Sequence, residues 1–201
     1  EVAEQCIQKR AIRYDKSGDN HYDTVSAFIK SMRGSDPDAA LYYLAKMLYA
    51  GESVEFIARR IMISAAEDVG MADPNALTVA VSAANAVHQI GMPEAKIILA
   101  EAVVYMATAP KSNASYMGLE KAMSAVQNTK ISGIPVHLMD AHYKGAAKLG
   151  HGDGYKYAHD YENHYVNQQY LPDELVNEVF YNPGDLGYEV KVKEHFKKIK
   201  G

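Results

Sequence analysis

Apolar residues recur at three- and four-residue spacing through the first two-thirds of the chain, and turn-forming residues interrupt them at regular places. In HYDTVSAFIKSMRG, Val25, Phe28, Ile29 and Met32 share one helical face and Gly34 ends the run. In SDPDAALYYLAKMLYAG, Ser35 or Asp36 can accept from the orphan amides of a helix start. Pro37 stands where a missing donor costs nothing, and Gly51 can close the helix in the left-handed conformation. Leu41, Leu44, Ala45 and Leu48 form its predicted inner face. A further helix is predicted from a Ser53 cap to a Gly70 stop, with Ile57, Ile61, Ala65 and Val69 inward. Asp73-Pro74 repeats the cap-and-proline device for a helix ending near Gly91; Pro93 opens another, and Ser112 or Asn113 caps one ending near Thr129. A short charged helix from Glu1 to about Arg13 precedes them all, followed by turn residues at Asp15, Ser17, Gly18 and Asn20. Short loops between such helices favour antiparallel neighbours, so the expected fold is all-α, a multi-helix bundle.

Around Ile131 the pattern changes. Glycine, proline and tyrosine become frequent and the helical period weakens. Asp140 to Leu149 and Pro172 to Phe180 are the remaining predicted helices. The rest reads as an irregular strap over the bundle, ending in the basic tail VKVKEHFKKIKG, a solvated end. The expected organisation is a linker helix over 1–20, a helical bundle over 21–130 and a C-terminal extension over 131–201 with short helices packed on the bundle.

Composition supports a folded core: of 201 residues, 48% are hydrophobic and 23% charged, which is ordinary for a globular chain. Lys and Arg number 21 against 25 Asp and Glu, so no basic footprint for nucleic acid covers the whole chain. Cys6 is the single cysteine, which excludes an intramolecular disulfide and a thiolate metal cluster and suits a reducing, cytoplasmic setting. The longest apolar run, Ile97 to Ala109, is interrupted by Glu101 and is too short to span a bilayer, so no membrane role is expected. The chain starts at Glu1 with no secretory signal, and a fragment of a longer protein is expected.

Little of the chain has the spacing that chemistry requires. No GxxxxGK[ST] loop is present, and the cluster Gly150, Gly152 and Gly154 lacks the strand that should precede a phosphate cradle, so it reads as a turn. His137, His142, His151, His159 and His164 fall within 28 residues beside Asp140, Asp153, Asp160 and Glu162, a composition suited to zinc. Without HExxH or an i, i+4 pair on a helix, surface or capping histidines are the better reading. Glu67 and Asp68 diverge on a helix and are expected to face solvent or a basic neighbour. Glu101 sits among apolar residues; if buried it needs a partner, and Arg59 or Arg60 can supply a buried ion pair. Seven of the fifteen tyrosines lie from Tyr155 onward. Tyr155 and Tyr157, with Lys144, Lys148 and Lys156, form a candidate single-strand nucleic-acid contact of stacking aromatics and cations. Against it stands the reading that these tyrosines glue the strap to the bundle. No catalytic, cofactor-binding or metal-binding residue is assigned.

The segment HYDTVSAFIKSMRGSDPDAALYYLAKML (His21 to Leu48) closely resembles the region beyond the ATPase core in the MgsA/RarA family of replication-associated recombination proteins. The likeness continues through FIARRIMISAAEDVGMADPNAL, AEAVVYMATAPKSNASY, IPVHLMDA, GYKYAHDY and QQYLPDEL, in order along nearly the whole chain. One departure stands out. Where the family often carries an Arg-Asn pair and a following proline, this chain has Met139-Asp140 and His142, which removes a positive charge. The resemblance implies a parent AAA+ ATPase of the clamp-loader clade, related to the Werner-helicase-interacting protein. It also implies a helical, collar-like region that holds a homotetramer together. DNA and single-strand binding protein would be the parent's partners and a bacterial replication fork its place, while ATP and Mg would belong to a separate ATPase domain.

The reading that follows is an oligomerisation and regulatory domain of a DNA-dependent AAA+ ATPase in replication, recombination and repair, with no enzymatic site in this piece. The rival readings are a single-strand nucleic-acid-binding module built on the Tyr/Lys strap, and a metal-dependent enzyme built on the histidines.

Overall fold

The computed structural model describes residues 19–142 and 149–200, so the predicted N-terminal helix, Cys6, Lys144 and Lys148 lie outside the described residues. Seven α-helices and several 3-10 turns make up the described chain, with no strand among the described residues. Packing divides the chain into two compact units, Glu1–Tyr116 with Gly184–Glu189, and Met117–Pro183 with Val190–Gly201.

The first unit holds helices α1 (Asp19–Arg33), α2 (Pro37–Tyr49), α3 (Val54–Ser64), α4 (Asn75–Ile90) and α5 (Ala95–Thr108). Their starts follow the sequence signals. The Asp36 carboxylate accepts from the Ala39 amide at 2.9 Å, and the Ser53 hydroxyl from the Phe56 amide at 3.2 Å. The Asp73 carboxylate accepts from the Asn75 amide at 3.1 Å, and its second oxygen takes the Tyr105 hydroxyl at 2.6 Å. That bond holds the Tyr105 phenol above its ordinary pKa and ties α5 to the start of α4.

Helix α5 is central and packs against α1, α2, α3 and α4. It buries Ala95, Leu99, Ala102, Val103, Met106 and Ala107, whose mostly small side chains allow close approach from several directions. Phe28 and Met32 of α1, Leu44 and Met47 of α2, and Ile57 and Ile61 of α3 complete the core.

Three local differences from expectation have physical reasons. In α2 the buried positions are Ala40, Leu44 and Met47, with Ala45 exposed, because the helix is rolled toward α1 and α5. Helix α3 ends at Ser64 and the chain widens into a π turn over Ala65–Val69, which carries Asp68 inward while keeping Ala65 and Val69 buried. The C-terminal stretch is not an irregular tail: Tyr188–Lys200 is a helix, α7. Glu189 is fully buried near its start and accepts from the Gly184 amide at 2.7 Å, and the lysines of its last turn complement the helix dipole.

The second unit contains most of α6 (Ala114–Asn128) and a long extended segment. The helix expected over Pro172 to Phe180 is reduced to a 3-10 turn, Asp173–Leu175. Beyond it the chain is captured by α6 instead: Lys121 donates to the Val179 carbonyl at 2.9 Å and meets Glu178 at 2.8 Å. Gly118 permits this approach, since a Cβ there would lie 2.8 Å from the Phe180 carbonyl oxygen. Residues 140–142 are not helical, and the remainder of that predicted helix up to residue 148 lies outside the described residues.

Within the first unit, the return segment 184–189 is seated by Gly187, whose φ is +58° and whose added Cβ would stand 2.0 Å from the Ala72 carbonyl oxygen. Gly187→Ala is therefore expected to cost about 2 kcal/mol or more, from left-handed strain and a backbone clash together. Thermal unfolding followed by circular dichroism checks this; an unchanged midpoint would show that the segment is not docked in solution.

Candidate functional site

The first unit has its charged centre where α1, the end of α3 and the loop after α5 meet. Asp68, 6% exposed, accepts from the Arg33 Nε at 2.5 Å and from the Ser64 hydroxyl at 3.0 Å, and its backbone carbonyl takes the Ser112 amide at 2.8 Å. Glu67 meets the other arm of Arg33 at 3.1 Å. The Asp68 bond raises the Arg33 pKa above its ordinary value. The adjacent carboxylates thus face a basic neighbour, as expected, and both reach the same guanidinium. Lys111, beside this cluster, donates to the Ala107, Ala109 and Ser35 oxygens, and burial pushes its pKa down while Asp68 opposes the shift.

The buried pair expected of Glu101 with Arg59 or Arg60 is not formed. Glu101 is exposed on the outer face of α5, together with Ile97 and Val104, while Leu99, Ala102, Val103 and Met106 take the core face. An apolar neighbourhood in sequence thus placed Glu101 on a half-apolar surface rather than inside. It borders a shallow hollow of about 390 Å³ between α4 and α5, lined by small residues such as Ser82, Ala83 and Ala86. Arg59 is exposed, and Arg60 lies 6.0 Å from the Phe56 ring centre.

In the second unit, Tyr155, Lys156 and Tyr157 are brought together on one exposed extended stretch. Gln168 clamps that stretch from the side. Its carbonyl takes the Lys156 amide at 3.2 Å, and its NH₂ donates to the Lys156 carbonyl at 2.8 Å and to the Tyr170 hydroxyl at 2.8 Å. Sequence reading missed the continuation of this aromatic row. The Tyr157 ring lies 5.2 Å from that of His159, which lies 4.9 Å from that of His164. The signal was present in the spacing Tyr157, His159 and His164, but only the 3-10 turns of this stretch bring the rings close, tilted at 46° and 52°.

Two of the other histidines have ordinary partners. His137 Nε2 donates to the Gln169 carbonyl at 2.7 Å, and His142 Nδ1 meets Asp140 at 2.8 Å, which with the His142 amide holds the Asp140 carboxyl below its usual pKa. Among the described residues no group of three His, Cys, Asp or Glu side chains is disposed to hold a metal ion. The amides of Gly152, Asp153 and Tyr155 are spent on the carbonyls of Val136, Gly150 and Gly152 at 3.0, 3.1 and 3.2 Å. No helix among the described residues is long and apolar enough to cross a membrane.

None of the second unit's described large apolar side chains is fully buried. One face of α6 presents Leu119, Met123 and Val126 at i, i+4 and i+7, with exposures of 60%, 48% and 71%. Such a stripe on a helix is a face suited to packing against another surface.

A family model described as "MgsA AAA+ ATPase C terminal" matches residues 34–200, and one described as "AAA C-terminal domain" matches residues 1–33. The chain is 54% identical over 200 residues to an AAA domain-containing protein of Mycobacterium tuberculosis, covering 100% of this chain and 44% of that protein. It is 46% identical over 200 residues to replication-associated recombination protein A of Bacillus subtilis, covering 99% of this chain and 47% of that protein. With the Escherichia coli protein of the same name it shares 40% identity over 195 residues, 96% of this chain and 44% of that one. The chain therefore spans about half the length of these curated relatives.

The charged centre yields a direct expectation. Asp68→Ala should cost about 2–3 kcal/mol, because it strips a nearly buried carboxylate from Arg33 and Ser64; Glu67→Ala, at the exposed edge, should cost less than about 1 kcal/mol. Urea unfolding of the two variants tests the difference, and equal effects would refute the asymmetry.

Proposed function

Because the chain belongs to the MgsA AAA+ ATPase C-terminal family, we propose that it is the oligomerisation and regulatory domain of a DNA-dependent AAA+ ATPase acting at stalled replication forks. In this reading its own surfaces fix how many ATPase units act together, as a homotetramer. ATP and Mg are held by a separate ATPase domain, and DNA and single-strand binding protein are partners of the whole protein, in the bacterial cytoplasm at the fork. The observation that carries the reading is the uncovered apolar stripe Leu119, Met123 and Val126, in a unit whose described large apolar side chains are none of them fully buried. Apolar area of this kind is stabilised by burial at roughly 25 cal/mol per Å², and in homo-oligomers a second copy provides the cover.

Light scattering on the purified chain at micromolar concentration should give a tetramer mass. Leu119→Glu with Val126→Glu should shift it to smaller species without loss of helical signal, because both side chains already face solvent within one subunit. A monomer mass for the unaltered chain would end the proposal.

A second reading is favoured by the ring row from Tyr157 through His159 to His164 beside Lys156: a single-strand nucleic-acid contact, to which Lys144 and Lys148 would add charge. A dT oligonucleotide should then bind with an affinity that falls steeply with salt. Replacing Tyr155 and Tyr157 with Ala should weaken it by about tenfold or more, at about 1–3 kcal/mol per stacked base. Unchanged affinity in that variant would leave assembly as the domain's function.

A further inference from the structure

Helices α1 and α3 leave between them a groove of about 370 Å³, wholly within the first unit. Its floor is apolar, formed by Val25, Ile29 and Ile63, and Ile63 is nearly half exposed although it faces this packed helix pair. One end is closed by Arg33 with Glu67 and Asp68, whose charges satisfy one another. The other lining charges are not satisfied. The Lys30 ammonium has no hydrogen bond or ion pair with the described residues, and Arg60 holds an Nε–H shut away from solvent with no acceptor. A buried donor on a charged group without a partner is costly and rare, and a turn of the side chain toward a ligand acceptor in the groove removes the cost. Tyr22, 69% exposed, stands at the same rim and offers a ring and a hydroxyl.

These features select the ligand's chemistry. An apolar floor calls for a bulky apolar group, and two unpaired cations on the same lining call for a carboxylate, which a guanidinium binds in a planar, directional way. A nucleic-acid strand fits poorly. Its phosphates repeat along the chain, whereas the groove ends on two carboxylates and carries only three cations, one of them already neutralised. We propose that this groove docks a short segment of a partner protein in which an acidic side chain neighbours a bulky apolar one. The carboxylate lodges between Lys30 and Arg60, and the apolar group rests on Val25, Ile29 and Ile63. The site is separate from the surfaces that assembly uses in the reading above, and it stands whether or not that reading does.

The test titrates the whole, nitrogen-15-labelled chain with the peptide N-acetyl-Glu-Asp-Leu-Phe-amide, following the arginine Nε–Hε resonances. The Arg60 resonance should shift and saturate with a dissociation constant on the order of 1 mM or tighter. The neutral analogue N-acetyl-Gln-Asn-Leu-Phe-amide and the variants Lys30→Met and Arg60→Met, the last followed at the Arg33 resonance of the same groove, should each bind about tenfold more weakly, while Lys156→Met should bind as the unaltered chain does. Lys30 is exposed, so its variant keeps the test open should Arg60→Met alter the fold. Absence of a saturable Arg60 shift, or equal binding of the neutral peptide, overturns the proposal. It is also overturned if a dT oligonucleotide moves Arg60 at lower concentration than the peptide does, which assigns the groove to phosphate. A shift produced by raising protein concentration alone overturns it in favour of a second copy of the chain.

Discussion

Asp68 is nearly buried yet charged, and a carboxylate in that position is tolerable only when its oxygens are engaged. One oxygen is taken by Arg33 from the end of α1 and the other by Ser64 from the end of α3, while its backbone carbonyl holds Ser112 from the loop after α5. Three stretches far apart in sequence are thus pinned at one residue. Ser64 and Asp68 stand four residues apart, one turn from each other, so the hydroxyl reaches the carboxylate where α3 passes into the π turn. Gly70, at φ +50° with the Ser112 carbonyl oxygen 2.5 Å from where a Cβ would be, lets the loop come close enough. The same cluster closes one end of the α1/α3 groove, so the charge arrangement that organises the unit also leaves Lys30 and Arg60 as the cations still available there.

The two units are stabilised in different ways. The first packs small and medium apolar side chains around α5, with Tyr105 and Asp73 fixing the α4–α5 pair by a side-chain bond. The second relies on polar links: Lys121 to the Val179 carbonyl, Glu174 accepting from the Ser132 amide, Gln168 clamping Lys156, and Gln169 donating to Asp173. Each such link contributes only about 0.5–1.5 kcal/mol net, less than fully burying a large apolar side chain. A region held mainly by such bonds, with its apolar side chains outward, is suited to being completed by contact with something else.

Much of the first unit was legible in the sequence because its signals are local. Asp36 with Pro37, Ser53, Asp73 and Ser112 all act on amides two or three residues away, and a cap needs nothing from the rest of the chain. The inward positions Val25, Phe28, Ile57 and Ile61 followed from the helical period alone. The family resemblance rested on ordered motifs and so was also legible. The terminal helix was hidden because its lysines dominate the composition, although Val192, Phe196 and Ile199 carry a helical spacing.

What the tertiary structure decided is everything that depends on which neighbour occupies a given side. Glu101 has the same apolar sequence neighbours whether it faces in or out, and only the placement of α5 among four other helices turns it outward. The partner of Asp68 lies 35 residues away, the ring row from Tyr157 to His164 depends on two consecutive 3-10 turns, and the unpaired Arg60 Nε depends on α3 packing beside α1. The sequence by itself determined that the chain is a helical bundle of this family, since helix starts and periods are short-range properties of the backbone. Which charges are spent internally, and which remain for a ligand or another subunit, was decided by long-range packing, because a side chain's partner is set by three-dimensional proximity and not by its place in the chain.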